Sequence, residues 1–416
     1  MQNVTHRTSS AHLPANHRFS VLDAWRGVCA LLVTIVHIPV AHPFHETVGF
    51  ENMQMFVDFF FVLSGFVMCH AYGATLTENR KLEGFMIRRF GRVYPLHLAI
   101  LLGFVGLELV KMAITFAVKM PIDGDPFTGP RSLETLLSNL LLVQSFNLHG
   151  MTSWNGPAWS ISVEFYAYIV FAFAVLLAGM RTALFAALAI IGVAGLVAFS
   201  PNYIFTTHDY GFLRCLYGFF VGCIVYQAVM RSTTRGIGTL AEVAAVALLA
   251  AFMWFSGKNA TSLAAPLVFA AVVYVFAFQR GLVSRLLLTA PAQALGLWSY
   301  SIYMVHMLIY TVEKMALGVV AKKGLLGLSA ITTPTAKLWT FGHAGMDAVF
   351  FMAQIALTLI ASMITYRMIE DPWRRRFAAI ASRREKLGTP PVRPAQPSPL
   401  PAAGPALRVA RGPGLR

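Results

Sequence analysis

The sequence predicts an all-α integral membrane protein, a polytopic bundle of about ten transmembrane helices with N- and C-termini in the cytoplasm. Hydrophobic residues make up 57% of the 416 residues, charged residues make up 12%, and the mean hydropathy is +0.63. Soluble domains carry about 25% charged residues, so this composition excludes that class. Apolar runs of the length that a spanning helix needs recur along the chain. The first predicted partner is therefore the lipid bilayer.

Ten apolar runs match the length of a spanning helix. An eleventh run, 133–146, is shorter and is interrupted by Asn139 and Gln144. We interpret this run as an interfacial or re-entrant segment and not as a crossing. The ten predicted spans cover residues 21–41, 52–72, 93–117, 156–178, 182–200, 211–230, 238–256, 263–279, 290–312 and 346–368.

The distribution of basic residues orients the predicted bundle. Cytoplasmic flanks are enriched in Lys and Arg, and with ten spans and a cytoplasmic N-terminus most of the 33 Lys and Arg residues lie on that side. The predicted domains are a cytoplasmic segment at 1–20, the transmembrane domain at 21–372, and a basic, Pro-rich cytoplasmic tail at 373–416. The tail lacks hydrophobic periodicity, so we expect it to be disordered.

The basic tail has two candidate partners, because such tails attract anionic lipid headgroups or nucleic acid. The sequence contains no aromatic-interleaved basic motif that would recognise nucleic acid. We therefore predict no nucleic-acid partner and expect contact with lipid, if any.

The first predicted span carries two ionisable residues, Arg26 and His37. Eleven residues of an α-helix turn about 20° past three full turns and rise about 16 Å, so the two side chains share one face at opposite depths. The predicted orientation places Arg26 near the cytoplasm and His37 near the outer surface. Ionisable residues within a span are costly and are functional candidates by default. The alternative to a functional role is a structural one, in which His37 is a hydrogen-bonded core residue and Arg26 extends its guanidinium to the membrane surface.

Three further ionisable residues are predicted at the depth of His37: Asp58, Glu164 and His306, each in a different span. One interpretation is a buried hydrogen-bonded network that fixes helix packing. The other is a general base whose imidazole is oriented by a carboxylate. The sequence leaves both open for Asp58 and Glu164, and favours the structural role for His306.

A cluster of arginines precedes the third span, in the stretch "FMIRRFGRVYPLH". Arg89 and Arg92 stand at positions i and i+3, so on a helix they face the same way and can bind phosphate groups together. Arg88 adjoins them, and basic flanks of this kind also serve topology alone. Arg214, at the outer end of the sixth span, is either a substrate-binding residue or a snorkelling one.

Several familiar catalytic motifs are absent from the sequence. It contains no GxSxG, HExxH or Walker A motif, and no GxGxxG in a βαβ context. We therefore predict no metal site and no bound cofactor.

Six stretches, in this order, resemble the marks of the membrane-bound acyltransferase 3 family, whose members O-acylate cell-envelope polysaccharides and related glycosides. The resemblance spans roughly residues 18–376. Each stretch alone is weakly specific, whereas the ordered set is specific. The stretches are "LDAWRGVCALLVTIVHI", "FVDFFFVLSGFVM", "RRFGRVYPLH", "WSISVEFYAYIVF", "SYSIYMVHM" and "IEDPWRR".

The resemblance implies roles for individual residues. The family's R-x10-H motif falls on Arg26 and His37, with the histidine as the proposed catalytic base. Its RxxR motif falls on Arg89 and Arg92, which would handle the acyl-CoA donor. The family's acidic positions fall on Glu164 and Asp58, which are the other two predicted catalytic residues beside His37. Arg26, Arg88 and Arg214 complete the predicted substrate-binding set.

The resemblance also implies the reaction and its location. We expect acyl-CoA, with acetyl-CoA as the commonest case in the family, to be the co-substrate, and a carbohydrate hydroxyl outside the bacterial inner membrane to be the acceptor. The outer loops 118–155 and 313–345 are where acceptor selectivity is expected. A secondary transporter or flippase of a sugar-linked lipid is the alternative function, and it would move substrate without acyl-CoA.

Overall fold

The computed structural model describes residues 18–42, 45, 47, 49–76, 79–118, 124–233, 237–324, 327–332 and 337–387. An antiparallel hairpin of two strands, β1 (Ser329–Thr332) and β2 (Lys337–Thr340), accompanies the helices. The helices are α1 (Ser20–Val36), α2 (Phe56–Tyr72), α3 (Asn79–Val118), α4 (Leu133–Leu140), α5 (Ala158–Ala178), α6 (Thr182–Phe199), α7 (Gly211–Arg231), α8 (Thr239–Phe255), α9 (Ala265–Phe276), α10 (Leu282–Leu287), α11 (Ala290–Lys322), α12 (Ala344–Thr365) and α13 (Asp371–Leu387). A π-helical turn, Tyr366–Glu370, joins α12 to α13.

Every predicted span overlaps a helix, and the chain is a polytopic helical membrane protein. Within the described residues, seven helical stretches are long and apolar enough to cross a membrane. α1, with 17 residues, and two apolar helices, Thr239–Phe255 and Ala260–Phe276, are shorter. The count of ten crossings and the orientation of the termini therefore stay predictions. The seven stretches are Glu51–Tyr72, Lys81–Ala117, Ala158–Ala178, Thr182–Phe199, Gly211–Arg231, Ala290–Lys322 and Ala344–Lys386.

The excluded eleventh segment forms only a short helix. α4 has 8 residues, fewer than half of the about 20 that a crossing needs. The buried Asn139 that interrupts the run donates to the carbonyl of Thr135 and to the hydroxyl of Ser153, both at 2.8 Å. These bonds hold α4 against the polar loop that leads to α5.

Two glycines bring α1 and α11 into close contact. A Cβ atom at Gly27 would lie 2.4 Å from the backbone carbon of Leu295, and one at Gly296 would lie 2.5 Å from the carbonyl oxygen of Asp23. Small residues allow such close backbone approach between membrane helices. The crossing brings Arg26 within 2.8 Å of the Ser299 hydroxyl and so fixes its position in the bundle.

α2 and α7 cross in the same way, and the crossing gives a test of the packing. A Cβ atom at Gly222 would lie 1.9 Å from the carbonyl oxygen of Val62. We expect Gly222→Ala to force the helices apart and to destabilise the protein by about 1–3 kcal/mol, measured as a lower thermal unfolding midpoint in detergent. Gly106→Ala on α3 is the control, because nothing lies within 4 Å of its Cβ position. Equal midpoints for the two variants would contradict the close crossing.

The start of the basic tail is a helix packed on α3. Phe377 of α13 lies against Gly91, and Arg88 forms an ion pair with Glu385. Residues 373–387 of the predicted tail are therefore helical, because an apolar contact and an ion pair hold them against α3. The rest of the predicted tail lies outside the described residues.

The chain that follows α1 is fixed by the β-hairpin. The backbone N–H of Ala41 donates to the carbonyl of Trp339, and the N–H of Trp339 donates to the carbonyl of Pro39, both at 2.8 Å. The C-terminal end of α1, where His37 lies, is thereby tied to β2.

Candidate functional site

A cavity of about 110 Å³, lined by polar and apolar side chains, lies among α1, α2, α3, α5 and α11. Four of the predicted site residues line it, namely Arg26, Arg89, Arg92 and Glu164. A polar cavity within a helical membrane bundle marks a substrate path, because polar groups there are costly unless they serve a purpose. The other polar side chains of the lining are Ser64, Ser160, Tyr168, Ser299, Tyr300 and Tyr303.

Arg89 is the uncompensated cation of the cavity. It donates to the Tyr72 hydroxyl at 3.1 Å, and its guanidinium lies over the rings of Tyr72 and Tyr168 at 5.2 and 5.9 Å. Its Nε atom is buried without a hydrogen-bond partner, and it makes no ion pair with any carboxylate in the described part of the chain. Stacking on two aromatic faces orients the guanidinium while leaving its charge available to a ligand.

The other two arginines of the lining have carboxylate partners. Arg26 lies 3.4 Å from Asp23 and also donates to Ser299. Arg92 forms an ion pair with the buried Glu370, which belongs to the π-helical turn. Glu370 is not among the predicted site residues, although it lies in the family-like stretch "IEDPWRR".

Glu164 belongs to a chain of three hydrogen-bonding groups on the cavity wall. The Tyr168 hydroxyl, one helical turn further along α5, donates to Glu164 Oε1 at 2.6 Å. The Ser64 hydroxyl of α2 donates in turn to the Tyr168 oxygen at 3.2 Å. The carboxylate therefore fixes the tyrosine ring on which Arg89 lies, and it does not contact His37.

His37 ends α1 and carries a ring nitrogen with a free lone pair. Its Nδ1 lies 2.8 Å from the carbonyl oxygen of Val33, which can only accept a hydrogen bond. Nδ1 must therefore hold the proton, and Nε2 is the basic atom of the neutral ring. The centroids of the His37 and His306 rings are 5.3 Å apart. His306 has the same arrangement, with Nδ1 3.2 Å from the carbonyl of Ile302 and Nε2 buried without a partner among the described residues.

Tyr303 separates the two histidines from the cavity. It lines the cavity, and its ring centroid lies 6.0 Å from that of His306. Its hydroxyl is 2.8 Å from the Ser160 hydroxyl and donates to the carbonyl of Pro157 at 3.0 Å. The site thus has two parts that meet at Tyr303. The arginine side contains Arg26, Arg89 and Arg92, and the histidine side contains His37 and His306.

Three predicted site residues lie outside this arrangement. Both carboxylate oxygens of Asp58 accept from Arg214, at 2.9 and 2.7 Å, and the side chains are 0% and 3% exposed. Arg214 also donates to the carbonyl of Thr206 and lies over the ring of Trp159. The two residues form a closed pair away from the cavity, and the predicted catalytic role of Asp58 and substrate-binding role of Arg214 stay predictions.

Arg88, the third such residue, is turned away from the cavity by its ion pair with Glu385. Its neighbour Arg89 points into the cavity, because consecutive residues of a helix lie about 100° apart. Arg89 and Arg92 therefore line the cavity, whereas Arg88 contacts α13.

Two histidines lie in the segment that follows α1. The rings of His42 and His45 are 4.1 Å apart, and His42 also packs against Phe351 at 4.4 Å. Burial, with a smaller contribution from neighbouring His45, lowers the pKa of His42 to about 4. His42 is therefore neutral near pH 7 and adds no charge beside the histidine side.

Comparisons with known proteins place the described bundle among acyltransferases. The profile of a family described as an acyltransferase domain matches residues 19–367. Protein 2 in picA locus of Rhizobium radiobacter is 35% identical over 167 residues, which cover 37% of this chain and 81% of that protein. Acyltransferase MdmB of Streptomyces mycarofaciens is 25% identical over 360 residues, covering 80% of this chain and 83% of that protein. No solved structure gives a significant match.

Proposed function

The chain belongs to the acyltransferase 3 family and is a membrane acyltransferase, and from this premise we propose that it transfers an acyl group from cytoplasmic acyl-CoA to a hydroxyl of an extracytoplasmic sugar or glycan. Acetyl is the acyl group we propose, and the bacterial inner membrane is the location. The observation that carries the proposal is the arginine-lined cavity that reaches from α3 to Tyr303, with a histidine that has a free Nε2 beyond it.

The charge of the cavity suits an anionic donor. Three arginines and one carboxylate line it, and Arg89 has no carboxylate partner within the described chain. The phosphate groups of coenzyme A are anions that guanidinium groups bind through paired, charge-assisted hydrogen bonds. We assign Arg89 and Arg92 to the donor phosphates, and Arg26 to a more deeply bound part of the donor.

The histidine side suits general-base catalysis. In the proposed step the acceptor oxygen attacks the thioester carbonyl while its proton passes to Nε2 of His37. The carbon–sulfur bond then breaks, and the imidazolium returns the proton to the departing thiolate, so that an ester and free coenzyme A result. The thioester reaches His37 past Tyr303, and His306 is assigned to holding the His37 ring in place.

Glu164 is assigned to the donor side of the site and not to orienting His37. Its hydrogen bond with Tyr168 holds the aromatic surface beneath Arg89. The backbone carbonyl of Val33 already fixes the tautomer of His37, so the proposed mechanism needs no carboxylate there.

Arg89→Gln tests the donor site. We expect the Kd for acetyl-CoA to rise about 10- to 100-fold, because charge-assisted hydrogen bonds contribute about 1.5–3 kcal/mol. The measurement is isothermal titration calorimetry on purified protein in detergent. Arg88→Gln is the matched control: it removes an adjacent arginine that faces Glu385, and its Kd should stay near that of the wild type.

Two outcomes would contradict the assignment of Arg89. An unchanged Kd in Arg89→Gln would show that the cavity does not bind the donor phosphates. An equal rise in both variants would show that the effect comes from the overall charge of the arginine cluster and not from the cavity.

A further inference from the structure

Two aromatic rings from different helices meet at the histidine side of the cavity. Phe60 of α2 and Tyr303 of α11 both line the cavity, and their ring centroids are 5.7 Å apart in an edge-to-face contact. The Tyr303 ring is fixed in place, because its hydroxyl is bonded to the Ser160 hydroxyl and to the carbonyl of Pro157. His306 adjoins Tyr303 and does not itself line the cavity. The two rings therefore form the cavity wall that faces the histidine side.

The arginine side lies at the opposite end of α2. Arg89 donates to the hydroxyl of Tyr72, the last residue of α2, and Phe60 lies about 18 Å back along that helix. Ser64 and Val67 line the cavity between these ends, and with Phe60 they share one face of α2 at intervals of four and three residues. A donor whose phosphates bind at Arg89 would therefore lie along this face of α2, with its acyl end at Phe60.

The chemistry of the two rings suits selection by size. Phe60 carries no polar atom, and the Tyr303 hydroxyl is already engaged by two partners. Neither residue can therefore select an acyl group by charge. Packed side chains resist the insertion of extra methylene groups, because added volume forces them out of their preferred rotamers. An acetyl group ends in a single methyl, whereas each methylene of a longer acyl chain would have to displace one of the rings.

We propose that Phe60 and Tyr303 determine the length of the acyl chain that the protein transfers, by admitting a short acyl group to the histidine side and holding back a longer one. The proposal rests on the proposed acyltransferase reaction, for which it names the residues that select the acyl group. Phe60 is the residue to vary, because Tyr303 also ties α11 to the start of α5 through its hydroxyl. Phe60 makes no such bond and is half-buried.

The test compares the rates at which radiolabelled acetyl and butanoyl groups pass from their coenzyme A thioesters to envelope glycans in membranes that contain the protein. We expect the wild type to transfer acetyl at least about tenfold faster than butanoyl. Phe60→Ala should lower this ratio of rates about tenfold, and Phe60→Leu, which removes less volume, should lower it less. Both rates are measured on the same membranes, so the ratio does not depend on how much of a variant folds.

Val67→Ala is the matched control, because it enlarges the cavity on the same face of α2 about two turns away from Phe60. Its ratio should equal that of the wild type. The proposal is wrong if the wild type transfers both groups equally fast, if the Phe60 variants keep the wild-type ratio, or if Val67→Ala lowers the ratio as much as Phe60→Ala does. Failure of the proposed reaction gives a different result, since the wild type would then transfer neither group, and this proposal would fall with it.

Discussion

His37→Gln is expected to lower the rate of acetyl transfer about 100- to 10,000-fold, the usual contribution of general acid–base catalysis. Glutamine is a polar side chain of similar length but cannot take up a proton, so the acceptor hydroxyl would have to attack without a base. The measurement is transfer of label from radioactive acetyl-CoA to envelope glycans in membranes that contain equal amounts of wild type or variant. The Kd for acetyl-CoA should remain unchanged, because His37 does not line the arginine cavity.

His208→Gln is the control for this substitution, because His208 lies in the loop between α6 and α7 and does not line the cavity. Its transfer rate should equal that of the wild type. Full transfer in His37→Gln would remove the base assignment. Absence of label with the wild type, despite acetyl-CoA binding, would contradict the proposed acceptor class. Absence of both label and acetyl-CoA binding would favour the flippase alternative.

Breaking the Asp58–Arg214 pair is expected to have the largest effect on stability. Asp58→Leu leaves the Arg214 guanidinium buried between helices without its carboxylate, and removal of one partner of a buried pair costs about 3–5 kcal/mol. We expect a marked fall in the thermal unfolding midpoint in detergent. The double variant Asp58→Leu, Arg214→Leu removes both charges and should recover much of the lost stability.

The double variant also separates a structural role from a functional one. The pair does not line the cavity, so a double variant that folds should bind acetyl-CoA as tightly as the wild type. If the double variant recovers its stability but binds acetyl-CoA more weakly than the wild type, Arg214 belongs to the donor site. A double variant no more stable than Asp58→Leu would show that the pair contributes through more than charge compensation.

The regular spacing of apolar residues along the sequence predicted the helices. The interval between Arg26 and His37 predicted that they share one face of α1. Hydropathy locates a span within a few residues, and helix geometry then gives the relative direction of two side chains on that helix. The same reasoning placed Arg89 and Arg92 on one side of α3, and both line the cavity. The family likeness supplied the chemistry for which these residues are proposed.

Partners on other helices were not predictable in this way. Asp58 was placed at the depth of His37, yet its carboxylate pairs with Arg214, because the crossing of α2 and α7 brings these two helices together. Arg88 was grouped with Arg89, but the packing of α13 pairs it with Glu385. Depth in the membrane is a property of one segment, whereas a contact depends on the rotation and order of two.

The sequence by itself determined that this chain is a helical membrane protein of the acyltransferase 3 family, because composition, span length and ordered motifs are written along the chain. Only the tertiary structure decided which ionisable residues share the cavity, which form closed pairs, and which aromatic rings form the cavity wall at the histidine side. The physical reason is that the cost of burying a polar group depends on what surrounds it, and helix packing sets those surroundings.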